Sequence, residues 1–268
     1  MWYNRWEIFN TIGDYKLTLK IEHLTGGYTQ TPVIKDINLE VHEGELVGLI
    51  GLNGAGKSTT INHVIGLLQP MQGTISLNNI QLSQQPAAYK SQLAYIPEMP
   101  VLYDELTLKE HLELTIKAYD LDEKAAWKNA MELLEKFRLA NKLEWFPANF
   151  SKGMRQKVMI VCAFMTDAQL FVIDEPFLGL DPLAIDDLLG IINEKKKQGA
   201  AVLMSTHVLD TAEKYCDRFA LLNEGQLKAV GTLDDFQTQF NAPTASLNDI
   251  YLSIAKGERH EWIVATAS

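Results

Sequence analysis

The octapeptide Gly51-Leu52-Asn53-Gly54-Ala55-Gly56-Lys57-Ser58 stands between two segments of opposite character. Before it, residues 45–50 (ELVGLI) form a short, nearly all-apolar run of the kind that makes a strand buried on both faces. After it, Ile61, Val64, Ile65 and Leu68 recur at helical spacing. The octapeptide fits G-x-x-x-x-G-K-[ST], and its setting between a strand and a helix is the one that gives the pattern chemical meaning. Its glycines let successive backbone N–H groups turn inward at the positive end of a helix, which makes a nest for phosphate. Asn53, Gly54, Ala55 and Gly56 form the cradle. Lys57 neutralises terminal phosphate oxygens, Ser58 supplies a hydroxyl for Mg2+, and Thr59 is placed to bond phosphate from the same turn. At ordinary residue frequencies such a match is expected by chance on the order of 0.01 times in a chain of this length.

Three further stretches carry chemistry. Residues 170–175 (LFVIDE) form an apolar strand ending in two carboxylates, read as a neighbour of the cradle strand. Asp174 has the position of a metal-holding carboxylate and Glu175 that of a general base for an attacking water. A second apolar strand, residues 201–205, runs into His207 at the end of a sheet where ligands of α/β folds bind. At 150–157 (FSKGMRQK), Ser151 reads as a helix N-cap beside Gly153, a second anion site whose phosphate the local chemistry does not identify.

The remaining chain supplies a frame. Leu17, Leu19 and Ile21, then Ile37, Leu39 and Val41, alternate as two half-buried antiparallel strands, and Gly73 with Asn78 and Asn79 supplies turns for a second hairpin. Residues 86–165 lose β-branched residues and gain leucine-spaced, charged segments, the mark of a helical insertion. In residues 95–112, Met99, Val101, Leu102 and Tyr103 admit two readings, a docking surface or packing against the core. Trp2, Trp6 and Phe9 recur at helical spacing in an N-terminal extension, read as loosely packed rather than lipid-bound because basic charge is sparse.

Composition sets the limits. The chain has 268 residues, 47% hydrophobic and 22% charged, enough for an ordinary core. No run of eighteen apolar residues occurs, so this sequence contains no candidate membrane helix. A net charge of -10 opposes tracking along nucleic acid, and no nucleic-acid partner is expected. Cys162 and Cys216, far apart and outside any CxxC, read as reduced core thiols of a cytoplasmic protein.

In their order along the chain, Tyr28, the cradle, residues 95–98 (YIPE), residues 151–156 (SKGMRQ), Val172 to Glu175, Leu180-Asp181 and His207 resemble the nucleotide-binding subunits of ABC transporters. The resemblance runs from about Leu17 to Ile254. Within that family, residues 24–28 (LTGGY), 97–103 (PEMPVLY), 145–148 (WFPA) and 174–184 (DEPFLGLDPLA) are similar to the ATPase subunits of Ecs-type transporters of Gram-positive bacteria. The resemblance implies an α/β fold: a P-loop NTPase (RecA-like) core with an antiparallel β-subdomain and an inserted α-helical subdomain. The expected segments are an extension at 1–15, core with β-subdomain at 16–85, helical subdomain with signature at 86–165, core with acidic strand and His loop at 166–232, and a helical tail at 233–268.

It further implies ATP hydrolysis at the cytoplasmic face of a membrane, with a separate membrane-spanning permease subunit, Ecs-type, and a second copy of the ATPase as partners. Tyr28 would stack on adenine with Val33 beside it. Ser58, Glu98 and Asp174 would hold Mg2+, Glu175 and His207 would act on the water and γ-phosphate, and Asp181 would communicate across the dimer. Ser151, Lys152, Gly153 and Met154 form the signature that would meet the partner's ATP. Two departures stand out: Glu98 replaces the usual Gln, and Lys152 replaces the first signature glycine, a variant seen in exporter-type subfamilies. The competing class, a soluble ABC-type ATPase acting on nucleic acid or the ribosome, usually has paired cassettes or long coiled-coil insertions.

Overall fold

The computed structural model describes residues 17–256. The expected extension at 1–15 and the end of the tail beyond 256 lie outside the described residues. In chain order the elements are β1 (Leu17–Gly26), β2 (Ile34–His42), β3 (Leu46–Ile50), α1 (Lys57–Val64), β4 (Gln72–Leu77), β5 (Ile80–Gln81), α2 (Pro86–Lys90) and β6 (Leu93–Ile96). There follow α3 (Leu108–Ala118), α4 (Glu123–Lys136), α5 (Lys152–Phe164), β7 (Leu170–Asp174), α6 (Pro182–Lys197) and β8 (Ala201–Thr206). The chain continues through α7 (Leu209–Tyr215), β9 (Arg218–Asn223), β10 (Gln226–Gly231), α8 (Leu233–Gln239) and α9 (Leu247–Lys256).

Two sheets result. The smaller is antiparallel, in the order β2-β1-β4-β5, and its register sets Ile21 opposite Leu39 on one side and Ile75 on the other. The larger has the order β10-β9-β3-β8-β7-β6, parallel from β9 to β6 with β10 added antiparallel. Its central strands are apolar throughout because both faces are covered. In β7, Phe171 and Ile173 enter the core under the helices while Leu170 and Val172 enter the core facing the small sheet. The period of two thus builds two cores from one strand.

Local chemistry sets the helix starts. Thr107 and Glu110 form a reciprocal capping box for α3, and Asp122 caps α4. Gly199, at φ 95°, follows the end of α6 after three lysines as a left-handed cap. Asn78 and Asn79, at φ 48° and 64°, make the two-residue turn between β4 and β5.

The structure departs from the sequence reading in four places. β6 lies inside residues 86–165 yet pairs in parallel with β7, and Tyr89 and Leu93 enter the core beneath the small sheet. The helical insertion therefore starts after β6, whose four residues are too few to show a period against the helices downstream. Gly73 is no turn residue: it lies within β4 at φ 88°, where any side chain would collide with the carbonyls of Glu22 and His23. β7 does not adjoin the cradle strand, because β8 lies between them. Leu68 falls beyond α1, in a turn where its N–H and that of Leu67 both donate to the Asn62 carbonyl.

Candidate functional site

β3 ends where the cradle begins, and the fold closes tightly around Gly51 and Gly56. A Cβ at Gly51 would stand 2.7 Å from the Leu222 carbonyl oxygen, and one at Gly56 would stand 2.8 Å from Ile34 Cγ2. Gly54 and Gly56 also take φ values of 83° and 110°, which favour glycine. Ala55 is buried in the loop, its N–H donating to the Leu52 carbonyl and its own carbonyl accepting from Gly225. α1 begins without a side-chain cap, so no protein oxygen competes for the N–H groups of its first turn. Lys57 is buried there; its Nζ donates to the Gly51 carbonyl at 2.7 Å and lies 3.4 Å from Glu175 Oε1.

The carboxylates converge from the other strands. Although β8 separates β7 from β3, α1 packs across β7, which brings the cradle to Asp174. Asp174 sits opposite Ser205 in the ladder, and the Ser205 hydroxyl donates to its carboxylate. Burial pushes the Asp174 carboxyl above the usual range, opposed by the hydroxyl of Ser205 and, more weakly, those of Ser58 and the Lys57 charge. Glu175 leaves the strand at φ 46°, its N–H donating to the Ser205 carbonyl and lying 3.2 Å from Ser205 Oγ. The turn brings the side chain to His207, whose Nδ1 lies 2.9 Å from Glu175 Oε1. A carboxylate only accepts, so Nδ1 carries the proton and Nε2 is left for another partner.

Lys57, Glu175 and His207 line a cleft of about 470 Å³, with Asp174 buried just outside its lining. Asn53, Gly54, Gly56, Ser58 and Thr59 line it from the cradle. Tyr28 and Val33, both exposed, and Glu98 complete the lining from other segments. Leu52 and Leu178 also line it, and neither carries a sequence signal. Ser205 and Tyr251 support the site from behind: the Tyr251 hydroxyl accepts from Leu52 N–H at 2.8 Å and donates to the Leu222 carbonyl. Only the α/β placement of β8 could have pointed to Ser205, and nothing local points to Tyr251.

The second set of residues is elsewhere. Ser151, Lys152, Gly153 and Met154 do not line the cleft, and Ser151 caps α5 by accepting from Met154 N–H at 3.2 Å. A Cβ at Gly153 would stand 2.6 Å from the Gly179 carbonyl oxygen, so α5 lies hard against the turn before α6. Asp181 caps α6 and pairs with Lys157 Nζ at 2.7 Å, a contact that holds its carboxyl below the usual range. Of the segment with two readings, Leu102 packs on the core while Met99, Val101 and Tyr103 are exposed by 58%, 73% and 62%.

Residues 34–178 match the family model described as ABC transporter. The chain belongs to that family. This ABC transporter ATP-binding protein is 56% identical over 238 residues to the ABC-type transporter ATP-binding protein EcsA of Bacillus subtilis, an alignment covering 89% of this chain and 96% of the relative. It is 43% identical to the uncharacterized ABC transporter ATP-binding protein YthP of Bacillus subtilis, over 87% of this chain and 94% of the relative. A solved structure of the ATP binding subunit of an ABC transporter superposes with a TM-score of 0.87 at 55% identity, covering 88% of this chain and 99% of that one. The protein is therefore an ABC ATPase with a P-loop NTPase core, the ATP-binding subunit of a transporter. Among the described residues no helix is long and apolar enough to cross a membrane.

Proposed function

We propose that the cleft binds MgATP with its base on Tyr28 and Val33 and its phosphates on residues 53–59, and that Glu175 is the general base of hydrolysis. The observation that carries this reading is the convergence at Glu175 Oε1, 2.9 Å from His207 Nδ1 and 3.4 Å from Lys57 Nζ. Lys57 draws the base toward the phosphate end of the cleft, and His207 fixes its orientation while leaving Nε2 for the γ-phosphate. Asp174, Ser58 and Glu98 are the oxygens that would hold Mg2+. One or two carboxylates together with the phosphates themselves are the ligand set that Mg2+ usually takes. Mg2+ would neutralise charge developing on the phosphates.

The exposed N-terminus of α5 completes this picture as the surface that meets a second subunit's ATP, with Asp181 at the same junction. Head-to-tail pairing of two copies would supply that meeting. Met99, Val101 and Tyr103 form the docking surface for a permease of Ecs type at the cytoplasmic face of the membrane. Lys152 in the signature, a replacement found in exporter-type subfamilies, supports export.

The test is steady-state ATP hydrolysis by the purified subunit, alone and reconstituted with the membrane protein encoded beside it. Glu175→Gln is expected to lower turnover by about 10²- to 10⁴-fold while ATP still binds, and the membrane subunit is expected to change the parent rate. Turnover near the parent rate in Glu175→Gln removes Glu175 as base. A rate that ignores the permease but responds to nucleic acid or ribosomes removes the coupling.

A further inference from the structure

α1 makes two contacts that the reading above leaves without a purpose. Asn62 Nδ2 donates to the Tyr28 hydroxyl at 3.2 Å. On the next residue, His63 is fully buried, and its Nδ1 lies 2.7 Å from the Thr59 carbonyl oxygen. A carbonyl only accepts, so Nδ1 holds a proton and Nε2 is the ring nitrogen left over. That Nε2 is buried with no hydrogen-bond partner. An aliphatic side chain of similar size would fill the core without a desolvated nitrogen. What the imidazole adds is a flat ring fixed at one end by Thr59 and pressed at the other against Gly26, where any side chain would collide with Nε2.

Gly26 is the root of the loop that carries Tyr28 and Val33, both of which line the cleft. Its carbonyl accepts from Val33 N–H at 2.8 Å, and a Cβ at Gly27 would stand 2.9 Å from Val33 N, so the loop from Gly26 to Val33 closes on itself. Tyr28 is 61% exposed and has little packing of its own to hold it. The helix that receives phosphate therefore also holds the loop at its root, through His63, and at its tip, through Asn62.

We propose that Asn62 and His63 are positioning residues, a strut that sets the Tyr28 platform relative to the phosphate cradle and so governs affinity for the nucleobase part of the nucleotide. The proposal rests on the reading of Tyr28 as the base platform. Its signature is selective: loosening the strut weakens recognition of the base and leaves recognition of phosphate intact. A residue that merely fills the core weakens both together, by loosening α1.

The experiment compares MgATP with magnesium tripolyphosphate, which has the phosphates and no base, as competitors of a fluorescent ATP analogue on the full chain. The variants are Asn62→Ala, His63→Met, which keeps side-chain volume, His63→Gln, which keeps a polar group, and Tyr28→Ala. Asn62→Ala and His63→Met are expected to lose about threefold to tenfold in ATP affinity, the scale of one lost hydrogen bond, with tripolyphosphate affinity within about twofold of the parent. The KM for ATP rises correspondingly while kcat holds, and His63→Gln recovers part of the loss. In the Tyr28→Ala background Asn62→Ala adds nothing. Parallel losses for ATP and tripolyphosphate, or no loss in either variant, overturn the strut. If Tyr28→Ala itself leaves the ratio of the two affinities unchanged, the platform reading fails, and the strut falls with it.

Discussion

α1 and α5 both begin at glycine-bearing turns that read, as sequence, like anion sites, and the structure gives them different beginnings. At α1 the helix start at Gly56 and Lys57 is buried, Gly51 and Gly56 are closed in by Leu222 and Ile34 while Gly54 stays open, and no side chain caps the helix. At α5 the turn is exposed and Ser151 already bonds the Met154 N–H. On the proposed reading the first holds phosphate within one chain, with Lys57 as counter-charge and Asp174 and Glu175 at the end of β7 as carboxylates. The second, whose residues 151–154 do not line the cleft, is on that reading a half site that meets another copy's ATP. The two helix starts differ in burial, Gly56 and Lys57 being buried and Ser151 and Lys152 exposed.

The sharpest way to break this contrast is to add one methyl group to each turn. Gly56→Ala forces a side chain into φ 110° and toward Ile34, and is expected to reduce ATP affinity of the isolated subunit by more than about 100-fold, with a stability loss of at least about 1 kcal/mol. Gly153→Ala, crowded by the Gly179 carbonyl, is expected to destabilise α5 yet leave ATP affinity of the isolated subunit within about twofold of the parent. Calorimetric titration with MgATP and thermal unfolding read both. Equal losses of ATP affinity at the two positions would erase the distinction.

A second effect belongs to the buried carboxylate beside the cradle. Burial raises the folded pKa of Asp174 above its unfolded value, so the ionised form burdens the fold at pH above that folded pKa, and the burden lifts as pH falls through it. Mg2+ needs the ionised form. Affinity for MgATP should therefore begin to fall, on acidification, at a higher pH than an ordinary carboxylate dictates. Asp174→Asn should flatten that step, raise Tm at neutral pH and lower turnover by on the order of 10²-fold. A Tm at neutral pH below the parent's contradicts the sign.

Ser151→Ala probes the half site more gently. Loss of the cap should cost about 1 kcal/mol of stability and slow turnover, with ATP affinity of the isolated subunit unchanged. A modest effect is likewise expected from Tyr251→Phe, which removes the acceptor of Leu52 N–H. A loss of about 1 kcal/mol and roughly threefold in ATP affinity is the scale of one neutral hydrogen bond.

Legibility in the sequence follows the same division. The cradle, the Asp174-Glu175 pair and His207 are contiguous patterns at strand ends, so local chemistry exposes them. Ser151 is legible as a cap for the same reason. Ser205, Tyr251 and the Asn62–Tyr28 bond join residues distant in the chain, and no periodicity encodes such pairings. Strand order is equally nonlocal: nothing in LFVID says that β8 separates it from β3. β6 and β10 are hidden by brevity or by mixed composition, since QLKAVG places one lysine among apolar residues and shows no clean alternation.

The most direct measurement is the mass of the Glu175→Gln subunit in solution, by light scattering, with and without MgATP. If the cleft holds ATP in cis and the α5 turn of a second copy closes over it, ATP should convert monomer to dimer, and Ser151→Ala in the same background should weaken that dimer. A monomer at saturating MgATP, with ATP demonstrably bound, would contradict the account.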